Sequence, residues 1–515
     1  MFNLSGFLSV NARQHPTAEA LVCEDLRLDW QTLEQRVGHL GAALADRGIG
    51  EGTIVALMMK NSAAFIELLY AISHLGAVVL PLNFRLSAEE VDYIAIHAGA
   101  ALVIADDVFQ LQAAGAGLPV ISLDSAAQKD VGAALLSPAQ GLRSAPVALR
   151  GREDTFRLMY TSGTTSRPKG VVHSYDNFYW KCIDHALSLG LNRQTRLLVV
   201  GPLYHVGACD LPGLGVHLAG GTLVIQRDFD PVRVLQAIAR ENIEGIWLAP
   251  VMINDILALP DGDGPDVSSL RWCIAGGERT PESRIRSFFA RFPNAAFIDA
   301  YGMTETGSGD TLMDPGRELE KIGSVGRPLR FVELEIRNED GQPVPPGQEG
   351  EICMRGPKVM AHYWRDAEKT AEAFFADGFL RSGDMGYLDA DGFLFVTDRQ
   401  KDMIISGGEN IASSEVERVI YNHPAVKEVA VFARPHPRWG EVAVAAVVLA
   451  AGQTLTYEDL LEHCRMALAG FKCPKDLVLL PALPRNPSGK VLKRSLRASD
   501  LAGHFAAHPG VIPVG

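Results

Sequence analysis

The stretch from Ile54 to Ala105, IVALMMKNSAAFIELLYAISHLGAVVLPLNFRLSAEEVDYIAIHAGAALVIA, decides how the rest of the chain is read. Ile54 to Met59 is a short unbroken apolar run, as a strand covered on both faces requires. Phe65, Ile66, Leu69, Ile72 and Leu75 then recur at helical spacing, and a second apolar run follows at Val78 to Leu82. Ser87 with Glu90 three residues on is a pairing that closes the first turn of a helix by reciprocal hydrogen bonds, and Leu102 to Ala105 reads as the next strand. Strand, helix, strand, helix in this order predicts a parallel sheet covered by helices.

The same alternation returns at Leu197 to Val200, Gly221 to Ile225, Gly245 to Leu248 and Trp272 to Ala275. After about Lys321 the pattern changes. VELEIRN, the turn-rich DGQPVPPGQEG, GEICMRG and GFLFVTDR read as short antiparallel strands. From Asp398 onward, SSEVERVIYNHPAV, VKEVAVFARP and AVAAVVL read as a compact α+β unit. The expected fold is α/β: a large N-terminal domain, residues 1–397, of parallel-sheet α/β subdomains with a β-rich part at about 321–397, then a small α+β C-terminal domain.

Composition sets the outer bounds. At 515 residues the chain is too long for one core. With 47% hydrophobic and 21% charged residues it reads as globular throughout. The net charge of -13 argues against holding nucleic acid through an overall field, so any bound phosphate must meet locally placed cations. Seven scattered cysteines without a C-x-x-C pair suggest neither a disulfide framework nor a zinc knuckle, and point to a reducing cytoplasm. MFNLSGFLSVNARQHP lacks the basic and apolar regions of a secretory leader, and the longest apolar run, Val442 to Ala451, is too short to cross a bilayer. A cytoplasmic protein with no membrane span is expected, and a homodimer is compatible with its size.

YTSGTTSRPKG, Tyr160 to Gly170, carries five hydroxyl side chains between Thr161 and Ser166, two glycines and Lys169. Lys169 falls six residues after Gly163, as in a Walker A loop, but Pro168 and Gly170 replace that motif's second glycine and its magnesium-binding hydroxyl. Hydroxyls from Thr161, Ser162, Thr164, Thr165 and Ser166, backbone approach at Gly163 and Gly170, and the Lys169 charge would suit a pyrophosphate held in a different loop. Taken as composition alone, the stretch is equally a Ser/Thr-rich turn.

The order of its residues resembles the signature of the adenylate-forming (ANL) superfamily, while RWGE (438–441) and AGFKCPK (469–475) resemble its acyl- and aryl-CoA synthetase branch; Ser166 departs mildly from the Gly or other small residue usual there. Other segments carry the resemblance independently. YGMTET (301–306) matches the stretch in which Glu305 would hold the magnesium of Mg-ATP and Thr304 would face phosphate, with Tyr301 and Gly302 at the nucleotide. AGGE (275–278), with Gly277 and Glu278, lies where the family shapes its adenine pocket, and RSGDMG (381–386) puts Asp384 at the ribose hydroxyls. DRQKDMIISGGENI (398–411) is similar to the family's hinge, here 398–402, with Arg399 at ribose and phosphate and Lys401 as pivot; the C-terminal domain, 403–515, would then be mobile. NPSGKVLK (486–493) would bring Lys490 to the first half-reaction.

The resemblance implies an acyl-CoA synthetase: ATP activates a fatty, alicyclic or aromatic monocarboxylate as an acyl-adenylate with release of pyrophosphate, and coenzyme A then displaces AMP. ATP, Mg2+ and coenzyme A are the implied cofactor and co-substrates. Gly407 and Gly408 would line the pantetheine tunnel, and Trp439, Lys472 and Lys475 the CoA nucleotide site, although Cys473 stands where some relatives carry Arg. PLYHVGACD (202–210) resembles the acyl-pocket segment with His205 as gate. Val206, where amino-acid-activating relatives have an aspartate, Gly207, Ala208, Ala249, Val251, Gly276 and Met303 would line an uncharged pocket. Two alternatives stay open: a stand-alone adenylating enzyme that loads a carrier protein, and a non-catalytic acyl or nucleotide binder.

Overall fold

The computed structural model of the protein describes residues 2–115, 117–124, 143–161, 168–260, 264–276, 280–399, 402–406, 409–468, 470–485 and 491–501. Ile54–Met58 pairs in parallel with Val78–Pro81 on one side and Leu102–Asp106 on the other. Between the first two runs the helix Ala63–His74 crosses over, and every one of its residues is buried. The reason is its composition, which is apolar nearly all round. The core about it draws Val55, Leu57 and Val79 from this sheet and Leu21, Leu197 and Leu223 from a second. The next helix, Ala88–Ala98, starts with the expected reciprocal cap: the Glu90 amide donates to Ser87 Oγ at 3.3 Å and the Ser87 amide to the Glu90 carboxylate at 2.8 Å.

The first sheet has six strands, in the order Val120–Leu123, Leu102–Asp106, Ile54–Met58, Val78–Pro81, Thr155–Thr161, Lys169–Ser174. The second has nine, and its interior strands Ala296–Tyr301, Trp272–Gly276, Gly245–Leu248, Arg196–Val199, Thr222–Ile225 and Glu19–Cys23 are parallel throughout. The sheets are largely parallel, as expected, and turn antiparallel at their edges. Thr155–Thr161 with Lys169–Ser174, Glu19–Cys23 with Leu26–Asp29, and Ala296–Tyr301 with Thr311–Leu312 are antiparallel. Each of these pairs is joined by too few residues for a crossover, which a parallel pair needs.

The β-rich part is a four-stranded antiparallel sheet of Glu333–Arg337, Gly350–Arg355, Leu380–Leu388 and Leu394–Arg399. The last unit has its own sheet, built on the long pair Val426–His436 and Gly440–Leu449. Its core gathers Ile411, Val416, Ile420, Val431, Ala445 and Leu460. All seven cysteines are buried, and among the described residues none is joined in a disulfide. Among the described residues no helix is long and apolar enough to cross a membrane.

Candidate active site

The hydroxyl-rich loop hangs from an antiparallel arm. Thr161 pairs with Lys169 and Tyr160 with Gly170, so residues 162–167 join the two strand ends. Ser162, Gly163, Thr164 and Thr165 lie outside the described residues. At the base, a Cβ on Gly170 would come within 3.0 Å of the Tyr160 ring and 3.1 Å of Trp364 Cβ. Close packing there, beyond any approach of a ligand, asks for glycine.

Lys169 Nζ stands 4.7 Å from the centroid of the Tyr363 ring, and the Tyr363 hydroxyl donates to Glu305 Oε1 at 2.9 Å. Glu305 is only 8% exposed. Burial raises its carboxyl above the ordinary glutamate value, and the Tyr363 hydrogen bond and the Lys169 charge offset part of that rise. Thr304, Glu305 and Thr306 form one 3-10 turn directly after the strand Ala296–Tyr301, and the Met360 amide fixes the Glu305 carbonyl at 2.7 Å. Gly302 leads into this turn at a point where a Cβ would lie 2.4 Å from the Gly309 nitrogen.

The Tyr301 hydroxyl donates to Asp384 Oδ2 at 2.9 Å, tying the second sheet to the antiparallel sheet. Asp384 is the cross-strand neighbour of Arg399, whose side chain is outside the described part, as are Gly277 and Glu278. Lys169, Glu305, Tyr301 and Asp384 are thereby linked through Tyr363 and one strand-turn unit. Among the described residues no group of three or more His, Cys, Asp or Glu side chains could cage a metal. One buried carboxylate fits Mg2+, which keeps waters and binds through one or two carboxylates together with substrate phosphates.

The segment 202–210 is equally ordered. His205 precedes the short helix Val206–Asp210, and its Nδ1 accepts from the Gly207 amide at 3.0 Å. Burial lowers its pKa, so the ring is neutral and its proton sits on Nε2. Its centroid lies 6.3 Å from that of Trp247, on the strand Gly245–Leu248. The indole fills the space over two glycines: a Cβ on Gly201 or on Gly207 would come within 2.5 Å of a Trp247 ring carbon. Val206 and Ala208 are buried, and Val206 packs with Met159, Val171 and Tyr363, with Met303 against them.

Gly276 ends its strand where a Cβ would meet the Ala300 carbonyl at 2.8 Å. Ala249 caps the helix Pro250–Leu257, whose second residue, Val251, is 52% exposed and stands apart from the buried cluster. In the C-terminal unit Trp439 is 43% exposed, with the Arg438 guanidinium 4.7 Å from its ring centroid. Lys472 pairs with Glu415 at 2.7 Å, so a phosphate there would have to compete for it, and Lys475 Nζ donates to the Gly470 carbonyl at 3.4 Å. Lys401, Gly407, Gly408 and Lys490 lie outside the described residues. Arg485 and Val491 pair as an antiparallel bridge on either side of 486–490.

Sequence reasoning passed over Tyr363 and Trp247. For Trp247 a signal existed. In GIWL, Ile246 and Leu248 belong to the helix-covered core, so period two sends the tryptophan to the other face, toward His205. For Tyr363, in MAHYW, no local signal marks it, because its partners come from the loop arm and the 304–306 turn.

Residues 8–364 match the family described as AMP-binding enzyme, and residues 415–490 match the AMP-binding enzyme C-terminal domain. The chain belongs to the AMP-binding enzyme family. Feruloyl-CoA synthase from Amycolatopsis sp is 39% identical to this family member over 493 residues, covering 94% of this chain and 96% of the relative. The long-chain-fatty-acid–CoA ligase FadD13 of Mycobacterium tuberculosis is 35% identical over 508 residues, 96% of this chain and 98% of the relative. The structure of o-succinylbenzoate CoA synthetase from Bacillus subtilis with its acyl-adenylate intermediate superimposes with a TM-score of 0.86 at 31% identity, covering 96% of this chain and 98% of that one. These likenesses span both domains, in the order expected for adenylate-forming enzymes.

Proposed function

We infer that this AMP-binding enzyme is an AMP-forming acid–CoA ligase. The substrate carboxylate attacks the α-phosphorus of ATP and expels pyrophosphate, and the thiol of coenzyme A then displaces AMP from the acyl-adenylate. The observation that carries this reading is the linkage of Lys169, Glu305, Tyr301 and Asp384 through Tyr363 and the 301–306 segment, near the ring pair of His205 and Trp247. Crowded negative charge is the obstacle to the first step, and fixed charges lower it without reorganisation. Lys169 and the Thr161–Thr165 hydroxyls would take the phosphates. Thr304 would face them, and Glu305 would hold Mg2+, which when bound with ATP adds charge neutralisation at the phosphate oxygens. Tyr301, Gly302, Asp384 and Arg399 would hold the nucleoside, with Gly277 and Glu278 at its base.

Lys490 would enter for the first step, and rotation about Lys401 would replace it with Gly407 and Gly408 for the second. On this reading the domains are 1–397 and 403–515, with 398–402 between them. Trp439, Lys472 and Lys475 would receive the CoA nucleotide. For the acid, a flat ring is favoured. The indole seated over two glycines, with His205 near it, offers an aromatic wall, and Val206 stands where amino-acid-activating relatives have an aspartate. The name of the feruloyl-CoA synthase relative supports an aromatic acid, and that of FadD13 the fatty alternative. The seven buried thiols support a cytoplasmic setting.

The test is mass spectrometry of products formed with Mg-ATP and a panel of aromatic, alicyclic and fatty acids, with and without coenzyme A. Acyl-CoA formed only when coenzyme A is present, and best from aromatic acids, is expected. Acyl-AMP that persists in the presence of coenzyme A would instead point to a carrier-protein acceptor.

A further inference from the structure

A buried polar chain connects the acyl segment with the 304–306 turn. Arg157, 1% exposed, grips Asp210 with both terminal nitrogens, at 2.9 and 2.5 Å. The same guanidinium approaches His173 Nδ1 at 2.9 Å from Nη2 and 3.3 Å from Nε, and His173 Nε2 lies 2.7 Å from the Thr304 carbonyl oxygen. A guanidinium can only donate, so Nδ1 accepts and the proton must sit on Nε2, where it donates to Thr304. Every member is oriented by the one before it: Asp210 fixes Arg157, Arg157 fixes the His173 tautomer, and His173 holds a backbone carbonyl one residue before Glu305.

The charge states agree with this geometry. Burial, and after it the Arg157 charge, hold the His173 pKa down at about 3. Burial alone would raise the Asp210 carboxyl, but Arg157 and then Lys181 outweigh it and keep it at about 2. The chain is therefore an ion pair and a neutral imidazole across the working range of an enzyme. Arg157 and His173 are cross-strand neighbours on the two strands that carry the hydroxyl-rich loop, and Asp210 ends the helix that begins just after His205. Removing such charges from water is costly, and an apolar substitute of similar volume is often no less stable, so a core alone does not require them.

We propose that Asp210, Arg157 and His173 are positioning residues that set the acyl segment against the Thr304–Glu305 turn, and with it the substrate carboxylate against the α-phosphorus. This rests on the ligase reading above. Misplacement of reacting groups by about 1 Å costs on the order of 10²-fold in rate, so the loss should fall on kcat of adenylation more than on either KM. Leucine at 173 removes the donor to Thr304, whereas glutamine retains a donor and an acceptor on a side chain of similar reach.

The experiment is acid-dependent exchange of labelled pyrophosphate into ATP by the full-length wild type and by His173→Leu, His173→Gln, Asp210→Asn and the double variant His173→Leu/Asp210→Asn. Each is first shown by circular dichroism and thermal melting to be folded, and Arg196→Met serves as a destabilised control remote from the site. No exchange by wild type with any acid would overturn the ligase reading itself. With wild type active, the expected result is about a 10²-fold lower kcat for His173→Leu. KM values should stay within about threefold, His173→Gln should recover most of the rate, and the double variant should be little worse than the worse single one. The proposal is overturned if His173→Leu keeps kcat within threefold, if His173→Gln is as slow as His173→Leu, if the two single losses multiply in the double variant, or if Arg196→Met loses kcat in the same proportion to its melting temperature.

Discussion

Gly207→Ala adds one methyl group against the Trp247 indole, at the wall proposed to align the acid. Gly207 has no positive φ and sits inside the helix Val206–Asp210, so alanine suits the backbone and should add up to about 1 kcal/mol of helix preference. Its Cβ, however, would lie 2.5 Å from Trp247 Cζ2, 2.9 Å from Trp247 Cε2 and 3.1 Å from His205 Nδ1. Carbon atoms pack at about 3.5–4.0 Å, so the indole must withdraw by about 1 Å. A shift of that size in the wall that aligns the acid should lower kcat/KM for an aromatic acid about 10²-fold, or about 2.7 kcal/mol of transition-state stabilisation. Melting temperature should fall modestly, because displacing the indole costs about 1–3 kcal/mol, more than the helix preference returns, and the KM for ATP should stay level. The assay is pyrophosphate release against acid concentration at saturating Mg-ATP. Adding Trp247→Leu to the same chain should restore the space and most of the activity. The reasoning fails if Gly207→Ala keeps kcat/KM within threefold, or if the double variant is no better than the single one.

Two other outcomes follow from the same geometry. Because burial raises the Glu305 carboxyl above its ordinary value, the nucleotide-free protein holds a proton there into a higher pH range, and Mg-ATP must displace it; as pH falls below the raised value, the apparent dissociation constant for Mg-ATP should therefore rise by about tenfold per pH unit, as read by calorimetry across pH 5 to 8, and this slope should vanish in Glu305→Gln. The sign is that of an acid with a raised folded pKa: this group's cost to the free fold appears as pH rises from the ordinary value through the raised one. Lys490→Ala should lose about 10²- to 10³-fold in adenylation but still convert supplied acyl-adenylate to thioester, whereas Gly408→Leu should still make adenylate and fail at the thioester; equal loss of both steps in each variant would refute the two-state scheme.

What could be read from the chain was whatever its local pattern determines. The strand at Ile54–Met58, the helix Ala63–His74 and the Ser87–Glu90 cap all follow from residues close together in sequence. The antiparallel edges did not, since the runs at Thr155–Thr161 and Lys169–Ser174 look like any other buried strand, and only their short connection dictates direction. Glu305 and Asp384 were legible from the segments around them, but the Tyr301–Asp384 and Tyr363–Glu305 contacts bridge 83 and 58 residues of chain. Arg157 and His173 were hidden for the same reason: opposite each other across a register, they meet Asp210 and Thr304 from two other elements. Gly207 is visible in the sequence as a small residue, yet the indole that requires it lies 40 residues on.

Tyr363 has one further consequence. On the proposed reading Lys169 and Glu305 both serve the phosphates, and a lysine and a glutamate so placed would find each other in the empty protein and form an ion pair, which arriving nucleotide would then have to break. Here the ring face of Tyr363 meets the ammonium of Lys169, while its hydroxyl occupies Glu305 Oε1. One neutral side chain thus gives each charge a weak partner in place of the strong one. Cation–π contact at such a site is worth about 0.5–2 kcal/mol and is given up readily when phosphate offers more. The phenol works as a spacer between opposite charges, leaving the two ions separate and ready for a ligand that carries both a polyanion and its counter-cation.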